Sequence, residues 1–362
     1  MTQPTYAAAQ RAADRIHDYF RRNPLAPSEC LATLPDPATL ASLIDTAFWT
    51  SLRREETFTP RITLAYAGPH QVSKPISFAT PLPLIPTDLT KMAAAVERAG
   101  IHLCVWRVDD ELQVWGIART IPQSCIVIET LQPGLLVVKQ SPPNDAGKYR
   151  NIAVLQGDSI KIIDPNIESA PRFRAPTNEV NALLQLAVSM RHHGRGGMLL
   201  LVPDTSEHWR ESIATPIKYE ITPAFHGFSS LLKKDESGRA TRTWEDAMAR
   251  AVDAIAGLTA VDGATILNTQ YDLLAFGAKI VRRKGAPQVP EVTISESVED
   301  GHPTTVDPTE LGGTRHFSAA QFTHDQHDAL ALVASQDGRF TVFGWSEKDA
   351  KVHAHRIDAL LL

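Results

Sequence analysis

The stretch Asp262–Ile280, DGATILNTQYDLLAFGAKI, sets the character of the second half of the chain. An amphipathic helix is predicted just before it, at 242–256, and its two apolar runs predict strands. Further upstream, MLLLVP at 198–203 follows a glycine-rich turn and predicts a buried strand, with another helix ahead of it. This alternation predicts an α/β fold in which helices flank a mixed β-sheet.

The first half of the chain has a different pattern. Helices are predicted at 4–24 and 38–53, and short strands follow, including a hairpin with an Asp-Asp turn. A segment with three prolines, 164–178, predicts a domain boundary. The predicted domains are N-terminal helices at 1–60, a smaller β-rich α+β domain at 61–165 and an α/β domain at 176–362.

Composition limits the classes of function. The 362 residues carry a net charge of −5, and a mildly acidic chain lacks the broad cationic surface that nonspecific nucleic-acid binding needs. No apolar run is long enough to predict a membrane helix, and the charged N-terminus does not resemble a signal peptide. The three cysteines have no close pairing, which fits a reducing compartment. We therefore predict a cytoplasmic protein without nucleic-acid or membrane partners.

Asp262-Gly263-Ala264 is the first candidate for chemistry. A carboxylate between a helix and a strand lies at a sheet edge, where it can bind a divalent metal, and the glycine lets a ligand approach the backbone. An Asp-Gly pair is also a common turn signal, so the tripeptide alone leaves both interpretations open.

Gly312-Gly313-Thr314-Arg315-His316 is the second candidate. Successive glycines expose backbone N–H groups, and a helix beginning at FSAAQFTHDQ would add its positive end to an anion site. The arginine offers a planar fork for phosphate oxygens. The alternative is a simple helix cap made by the threonine. A metal-binding carboxylate and a phosphate-binding cluster together favour nucleotide chemistry.

These motifs, in this order, resemble the diadenylate cyclase (DAC) domain, which carries Asp-Gly-Ala, then Gly-Thr-Arg-His-Arg, then a strand ending in serine. The resemblance covers about residues 176–346. The whole chain is also similar to a bacterial group of DAC-like proteins, the DACNV group, in which an N-terminal sensor-like region precedes a divergent cyclase-like domain.

The resemblance implies that two ATP molecules condense to cyclic di-AMP and release pyrophosphate, with Mg²⁺ or Mn²⁺ as cofactor. It also implies a homo-oligomer in which two such domains face each other. On the same grounds, catalytic roles fall to Asp262, which would also bind the metal, and to Arg315 and His316. Nucleotide binding falls to Gly263, Ala264, Gly313, Thr314 and Ser335.

The sequence departs from the family pattern at Phe317, where the family has a second arginine, and at Gln336-Asp337, where many members have an acidic pair. The lost positive charge keeps open an alternative function, a sensing module that binds a nucleotide or cyclic dinucleotide without turnover. A short internal similarity between 105–117 and 333–345 is consistent with a duplicated unit or with the general requirements of any half-buried hairpin.

Overall fold

The chain divides into two units, Met1–Asp164 and Pro165–Leu362. The predicted boundary segment lies outside the residues that the structure describes. The structure is a computed structural model, and it describes residues 5–23, 32–55, 58–98, 100–141, 149–163, 182–239, 241–296, 298–299 and 301–361. No described helix is both long and apolar enough to cross a bilayer.

The first unit is a mixed sheet covered on one face by helices. Its described strands follow the order β2-β4-β3-β1-β5-β6-β7-β8, in which β1 and β3 are parallel and the other neighbours antiparallel. The elements are α1 (Ala9–Arg22), α2 (Pro37–Ser51), β1 (Thr63–Tyr66), β2 (Ile76–Pro83), α3 (Pro86–Val96), β3 (His102–Val108), β4 (Glu111–Ala118), β5 (Ile126–Gln132), β6 (Leu135–Gln140), β7 (Arg150–Gln156) and β8 (Ser159–Ile162).

Local chemistry explains where these elements begin and turn. Helix α2 begins after Asp36, whose carboxylate accepts a hydrogen bond from the N–H of Thr39 at 2.8 Å. The β3–β4 hairpin turns at Asp109 and Asp110, whose φ angles of 48° and 64° are those of a type I′ turn. The predicted hairpin is confirmed.

The N-terminal helices and the sheet of the first unit share one hydrophobic core. Ile16 of α1, Leu40 of α2 and Leu89 of α3 are almost fully buried against sheet residues such as Leu64 and Val105. The region predicted as separate helices at 1–60 therefore packs as part of this unit.

The second unit is also a mixed sheet, with helices on both faces. Its described strands follow the order β10-β12-β11-β9-β15-β16-β17-β13-β14. The elements are α4 (Ala182–His192), β9 (Gly197–Val202), β10 (Tyr219–Phe225), α5 (Gly227–Leu232), α6 (Glu236–Arg239), α7 (Arg242–Leu258), β11 (Ala264–Asn268), β12 (Leu273–Ala278), β13 (Val292–Glu296), β14 (Thr304–Val306), α8 (Thr314–Asp325), β15 (Leu330–Ala334), β16 (Phe340–Ser346) and β17 (Lys351–Arg356). The predicted α/β class is therefore confirmed.

Side chains alternate between the two faces of this second sheet. Leu199 and Leu332 point into the core formed with α4 and α7, whereas Leu200 and Ala331 point into the core that contains Phe322 of α8. Because both faces are covered, the central strands β9 and β15 are buried at every position.

The two units share one topology apart from the β13–β14 hairpin. If that hairpin is left out and the remaining strands are numbered within each unit, both sheets contain the order 2-4-3-1-5-6-7, with strands 1 and 3 parallel. In both units the helix directly before strand 1 packs against the helix directly before strand 3: α2 against α3, and α4 against α7. The link from the second helix to strand 3 has the same length, 97–101 in one unit and 259–263 in the other.

The internal similarity noted in the sequence does not identify this duplication. Residues 105–117 belong to the hairpin of strands 3 and 4, whereas 333–345 belong to the hairpin of strands 5 and 6. The equivalent hairpins are β3–β4 and β11–β12, where His102 pairs with Ala118 and Ala264 with Ala278. Of the two interpretations of this similarity, the structure agrees with the second, in which it reflects features that any half-buried hairpin shares.

The main difference between the units lies after strand 4. In the first unit, residues 119–125 lead directly from β4 to β5. In the second unit, the longer segment between β12 and β15 contains the β13–β14 hairpin, a short 3₁₀ helix (Pro308–Leu311) and α8. Strand β13 pairs in parallel with β17, so this longer segment extends the sheet.

Candidate functional site

The second unit contains a cavity of about 830 Å³. Its walls come from the α7–β11 turn, the end of β12, the start of α8 and the β15–β16 turn. Every site residue predicted from the sequence lines this cavity: Asp262, Gly263, Ala264, Gly313, Thr314, Arg315, His316 and Ser335.

Gly263 occupies a backbone position that only glycine suits. Its φ of +118° lies in a region that other residues rarely adopt. A Cβ atom there would lie 2.5 Å from the carbonyl carbon of Gly277 and 2.8 Å from the oxygen of Ala278. The Asp-Gly-Ala motif is thus a turn, as the simpler interpretation predicted, and the turn packs directly against the backbone of β12.

Asp262 projects from this turn into solvent and pairs with Lys279. The Lys279 Nζ atom lies 2.5 Å from Oδ2 of Asp262, whose side chain is 89% exposed. The hydrogen bond and the charge of Lys279, with a smaller contribution from Arg315, lower the pKa of Asp262 below its ordinary value. The carboxylate is therefore ionised at neutral pH, as a metal ligand must be.

Lys279 is a site residue that the sequence analysis missed. It follows β12 directly, and Ala278, the last residue of β12, pairs with Ala264. The signal in the sequence was the lysine that follows the apolar run AFGA. In an antiparallel pair the end of the second strand lies beside the start of the first, so this lysine lies close to the Asp-Gly-Ala motif.

Helix α8 directs its N-terminus into the cavity. Gly313 is the N-cap and makes no side-chain cap, and Thr314 is the first helical residue. The threonine cap proposed as the alternative is therefore absent. The backbone N–H groups of Thr314 and Arg315 have no acceptor within the helix, so they are available to an anion.

The guanidinium of Arg315 lies across the cavity next to the turn that precedes β9. A Cβ atom at Gly196, where φ is +71°, would lie 3.0 Å from Nη1 of Arg315. Among the described residues Arg315 has no hydrogen-bond or ion-pair partner. Its donors are therefore free to bind phosphate oxygens. The glycine-rich turn before β9 was predicted as a turn only, and it also leaves room for this arginine.

His316 is buried and faces Ser335. Its Nε2 atom lies 3.4 Å from the Ser335 hydroxyl, and its exposed fraction is 7%. Burial, with a smaller contribution from Arg356, lowers the pKa of His316 below its ordinary value. The imidazole is therefore neutral at pH 7, which suits positioning of Ser335 better than a charge contact with phosphate.

The β15–β16 turn adds Asp337 and Arg339 to the cavity wall. These two side chains form an ion pair at 3.4 Å, and the carboxylate also accepts a hydrogen bond from the N–H of Arg339. Asp337 thus shapes the turn and faces the cavity at the same time. The lining residues carry three cations and two carboxylates, an excess of one positive charge with His316 neutral.

Phe317 does not line this cavity. It lines a neighbouring depression of about 280 Å³ together with Arg282 and Gln321. The sequence analysis treated this position as one that removes a charge from the phosphate site. In the structure the cavity obtains cations from Lys279 and Arg339 instead.

The described residues contain no group of three or more His, Cys, Asp or Glu side chains that could hold a metal ion. A divalent cation would therefore depend on ligands from a bound molecule. One carboxylate together with substrate phosphates and water is a usual arrangement for Mg²⁺. The exposed carboxylate of Asp262 fits that arrangement.

The match to a family model falls within the first unit. Residues 29–119 match the family model described as "Probable sensor domain DACNV". The predicted family resemblance is confirmed over this segment. The DACNV segment ends before the second unit begins, so the cavity residues lie outside it.

The comparisons with solved structures and with curated proteins support no conclusion about activity. The structure is similar to the crystal structure of a cysteine double mutant of DacA from Staphylococcus aureus, with a TM-score of 0.25 and 14% identity. That match covers 48% of this chain and 83% of the other, and at this TM-score it carries no argument about activity. No protein with curated annotation matches the chain.

Proposed function

We propose that the second unit binds ATP together with Mg²⁺ or Mn²⁺ and acts as a diadenylate cyclase in a signalling protein. The observation that supports this most is the convergence of all the predicted residues, from separate segments, on one cavity with an excess of positive charge. A volume of about 830 Å³ suits a nucleotide-sized ligand.

The triphosphate would bind at the N-terminus of α8. The N–H groups of Thr314 and Arg315, the Thr314 hydroxyl and the free Arg315 guanidinium all face the cavity. Lys279 lines the same cavity and directly follows β12. These groups provide directional hydrogen bonds and charge without any rearrangement of the helix.

Asp262 would hold the divalent cation, which when bound neutralises charge on the phosphates and polarises the attacking hydroxyl. The Lys279 ammonium contacts Oδ2 of this carboxylate, so the cation would bind at Oδ1 or compete with the lysine for Oδ2. The lowered pKa of Asp262 makes it a better metal ligand than a general base.

In the proposed reaction the 3′-oxygen of one ATP attacks the α-phosphorus of a second. A new P–O bond forms, the bond from the α-phosphorus to the pyrophosphate oxygen breaks, and the hydroxyl proton leaves to water or a carboxylate. The 3′-oxygen of the second ATP attacks the α-phosphorus of the first in the same way, and this step closes the ring. Two ATP thus yield cyclic di-AMP and two pyrophosphates. A symmetric product of this kind requires two copies of the cavity to face each other.

The test is to incubate the purified full chain with ATP and Mn²⁺ and to separate the nucleotides. We expect cyclic di-AMP, and a loss of product of at least 100-fold in Asp262→Asn and Arg315→Ala, since each removes a charged contact to the reacting phosphates. Arg250→Ala, an exposed arginine on α7 outside the cavity, is the matched control. Absence of product from the unaltered chain, beside an active cyclase, would overturn the proposal.

A second candidate function is nucleotide sensing without turnover. The observation that favours it is the Asp262–Lys279 ion pair, in which the lysine ammonium already contacts one oxygen of the carboxylate that would hold the metal. Calorimetric titration with ATP and Mn²⁺ separates the two functions. Binding that is lost in Arg315→Ala, without product in the incubation, supports sensing alone.

A further inference from the structure

The first unit has its own open cavity, of about 680 Å³, where β3 begins and β4 ends. Ile101 lies immediately before β3 and Arg119 immediately after β4, and both line the cavity. The equivalent positions in the second unit are Gly263 and Lys279, which line the proposed nucleotide cavity. The common topology thus places a cavity at the same sheet edge twice.

Two cations line this cavity, Lys74 and Arg119, and no carboxylate is present among its described lining residues. Both side chains are exposed, and neither has a hydrogen-bond or ion-pair partner among the described residues. In the second unit, Asp262 neutralises the cation at the equivalent position. Because Arg119 has no such partner, its charge is available to an anionic ligand.

The backbone holds Lys74 in an unusual conformation. Its φ is 51°, in the left-handed region, and Pro75 follows it. A residue before proline ordinarily adopts an extended conformation, so this one is doubly disfavoured. Non-glycine residues in such conformations are concentrated at functional sites.

The remaining walls are apolar, with hydroxyl groups at the mouth. Ile76 is 68% exposed, and Ile101 and Ile117 extend the same apolar surface. Ser73 and Thr120 provide the hydroxyls. Aliphatic walls with a few convergent polar groups are typical of small-molecule sites of this size.

We propose that this cavity is a second ligand site, which binds a small phosphate ester without a divalent metal. The phosphate lies between Lys74 and Arg119, and the ring or apolar part of the ligand covers the exposed isoleucines. The site has no carboxylate to share a metal ion, so it selects a phosphate mono- or diester rather than a metal-bound triphosphate. The proposal concerns a different cavity from the nucleotidyl-transfer site and does not depend on turnover there.

The test is calorimetric titration of the full chain with AMP and with cyclic di-AMP in the presence of EDTA. We expect at least one of them to bind, with a fall in affinity of at least tenfold in Lys74→Ala and in Arg119→Ala. Arg53→Ala, an exposed arginine of the same unit outside the cavity, is the matched control. Circular dichroism and thermal unfolding show whether each variant is folded, and Arg119→Lys, which keeps the charge, should recover part of the affinity.

Arg315→Ala distinguishes this site from the cavity of the second unit. Metal-free binding that survives Arg315→Ala and weakens in Arg119→Ala supports the proposal even if no ATP binds or reacts. The proposal is overturned if neither probe binds in EDTA, or if binding weakens in Arg315→Ala and persists in Arg119→Ala. Binding that is equally strong in all variants also contradicts it.

Discussion

The two units share one strand order and differ in the segment that follows strand 4. In the second unit this segment carries α8, whose N-terminus completes a cavity with the Asp262–Lys279 edge. In the first unit residues 119–125 replace it, and the corresponding edge carries Arg119, which has no acidic partner among the residues that the structure describes. The shared sheet places residues at the same edge in both units, where strand 3 begins and strand 4 ends. The inserted segment and single charged residues then decide which ligand or reaction that edge suits.

Each sheet has a second face, opposite α1–α3 in the first unit and opposite α4 and α7 in the second unit. The residues that cover this second face differ between the units. In the second unit α8 covers this face with Phe322 and alanines. In the first unit it holds Cys104, Cys125 and Trp115, all nearly inaccessible. Both cysteines are free, and burial raises the pKa of Cys104 to about 12, so these thiols act as packing groups. Cys30 lies outside the described residues.

The largest expected difference between the units concerns the glycine before strand 3. Gly263→Ala should destabilise the second unit by about 3 kcal/mol or more, because the new Cβ meets the β12 backbone at an unfavourable φ. Gly100→Ala should cost about 1 kcal/mol, since φ is +75° but no atom lies within 4 Å of the new Cβ. Hydrogen exchange resolved by unit measures both, and equal costs would refute the close packing of the turn.

Acidification should weaken each unit, with the largest effects from His102 in the first and His355 in the second. Burial lowers the pKa of His102 and of His355 from 6.5 to about 4. Between pH 6.5 and about 4 the unfolded chain takes up a proton that the folded chain does not. Stability is therefore complete above pH 6.5 and falls as the pH decreases, by up to about 3 kcal/mol for each histidine.

Hydrogen exchange at pH 7 and pH 4.5, corrected for intrinsic rates, measures this loss in each unit separately. His102→Gln should reduce the loss in the first unit only, and His355→Gln in the second only. His70→Gln, an exposed histidine, is the control. An undiminished acid sensitivity of the first unit in His102→Gln contradicts the prediction.

Gly313→Ser should separate ligand binding from folding in the second unit. Its φ of −73° suits any residue, and no atom lies within 4 Å of an added Cβ. A serine at this N-cap would accept a hydrogen bond from a first-turn N–H and compete with phosphate. We expect unchanged or slightly higher stability and an ATP affinity about tenfold lower, since one charge-assisted hydrogen bond contributes about 1.5 kcal/mol or more. Retained affinity would show that these N–H groups do not bind the ligand.

The smallest expected effect concerns the helix between strands 2 and 3. Helix α7 has Thr241 as N-cap, which accepts a hydrogen bond from the N–H of Trp244 at 3.2 Å. Ile85, the N-cap of α3, makes no side-chain cap. Thr241→Ala should cost about 1 kcal/mol, and Ile85→Ser should gain a few tenths. Thermal unfolding of both variants measures these changes. A cost at position 85 would show that the contacts of this isoleucine outweigh the gain from a serine cap.

Much of the site was predictable because its motifs are local. The Asp-Gly turn and the glycines before α8 depend on conformations and hydrogen bonds that near neighbours determine. Lys279 and Arg339 were missed because each reaches the cavity through strand pairing or a turn. Gly196 was missed because only the tertiary structure brings it next to Arg315. Phe317 was interpreted as a change in the phosphate site, and only the orientation of α8 places it in the neighbouring depression.

By itself the sequence determined the α/β class, the helices and hairpins and the residues of the two motifs, since periodicity and turn chemistry act over a few residues. The tertiary structure decided which strands are neighbours, and with this the duplicated topology, the Asp262–Lys279 pair and the second cavity beside Arg119. Strand order depends on how distant segments bury their apolar faces together, and the local pattern of side chains does not record that arrangement.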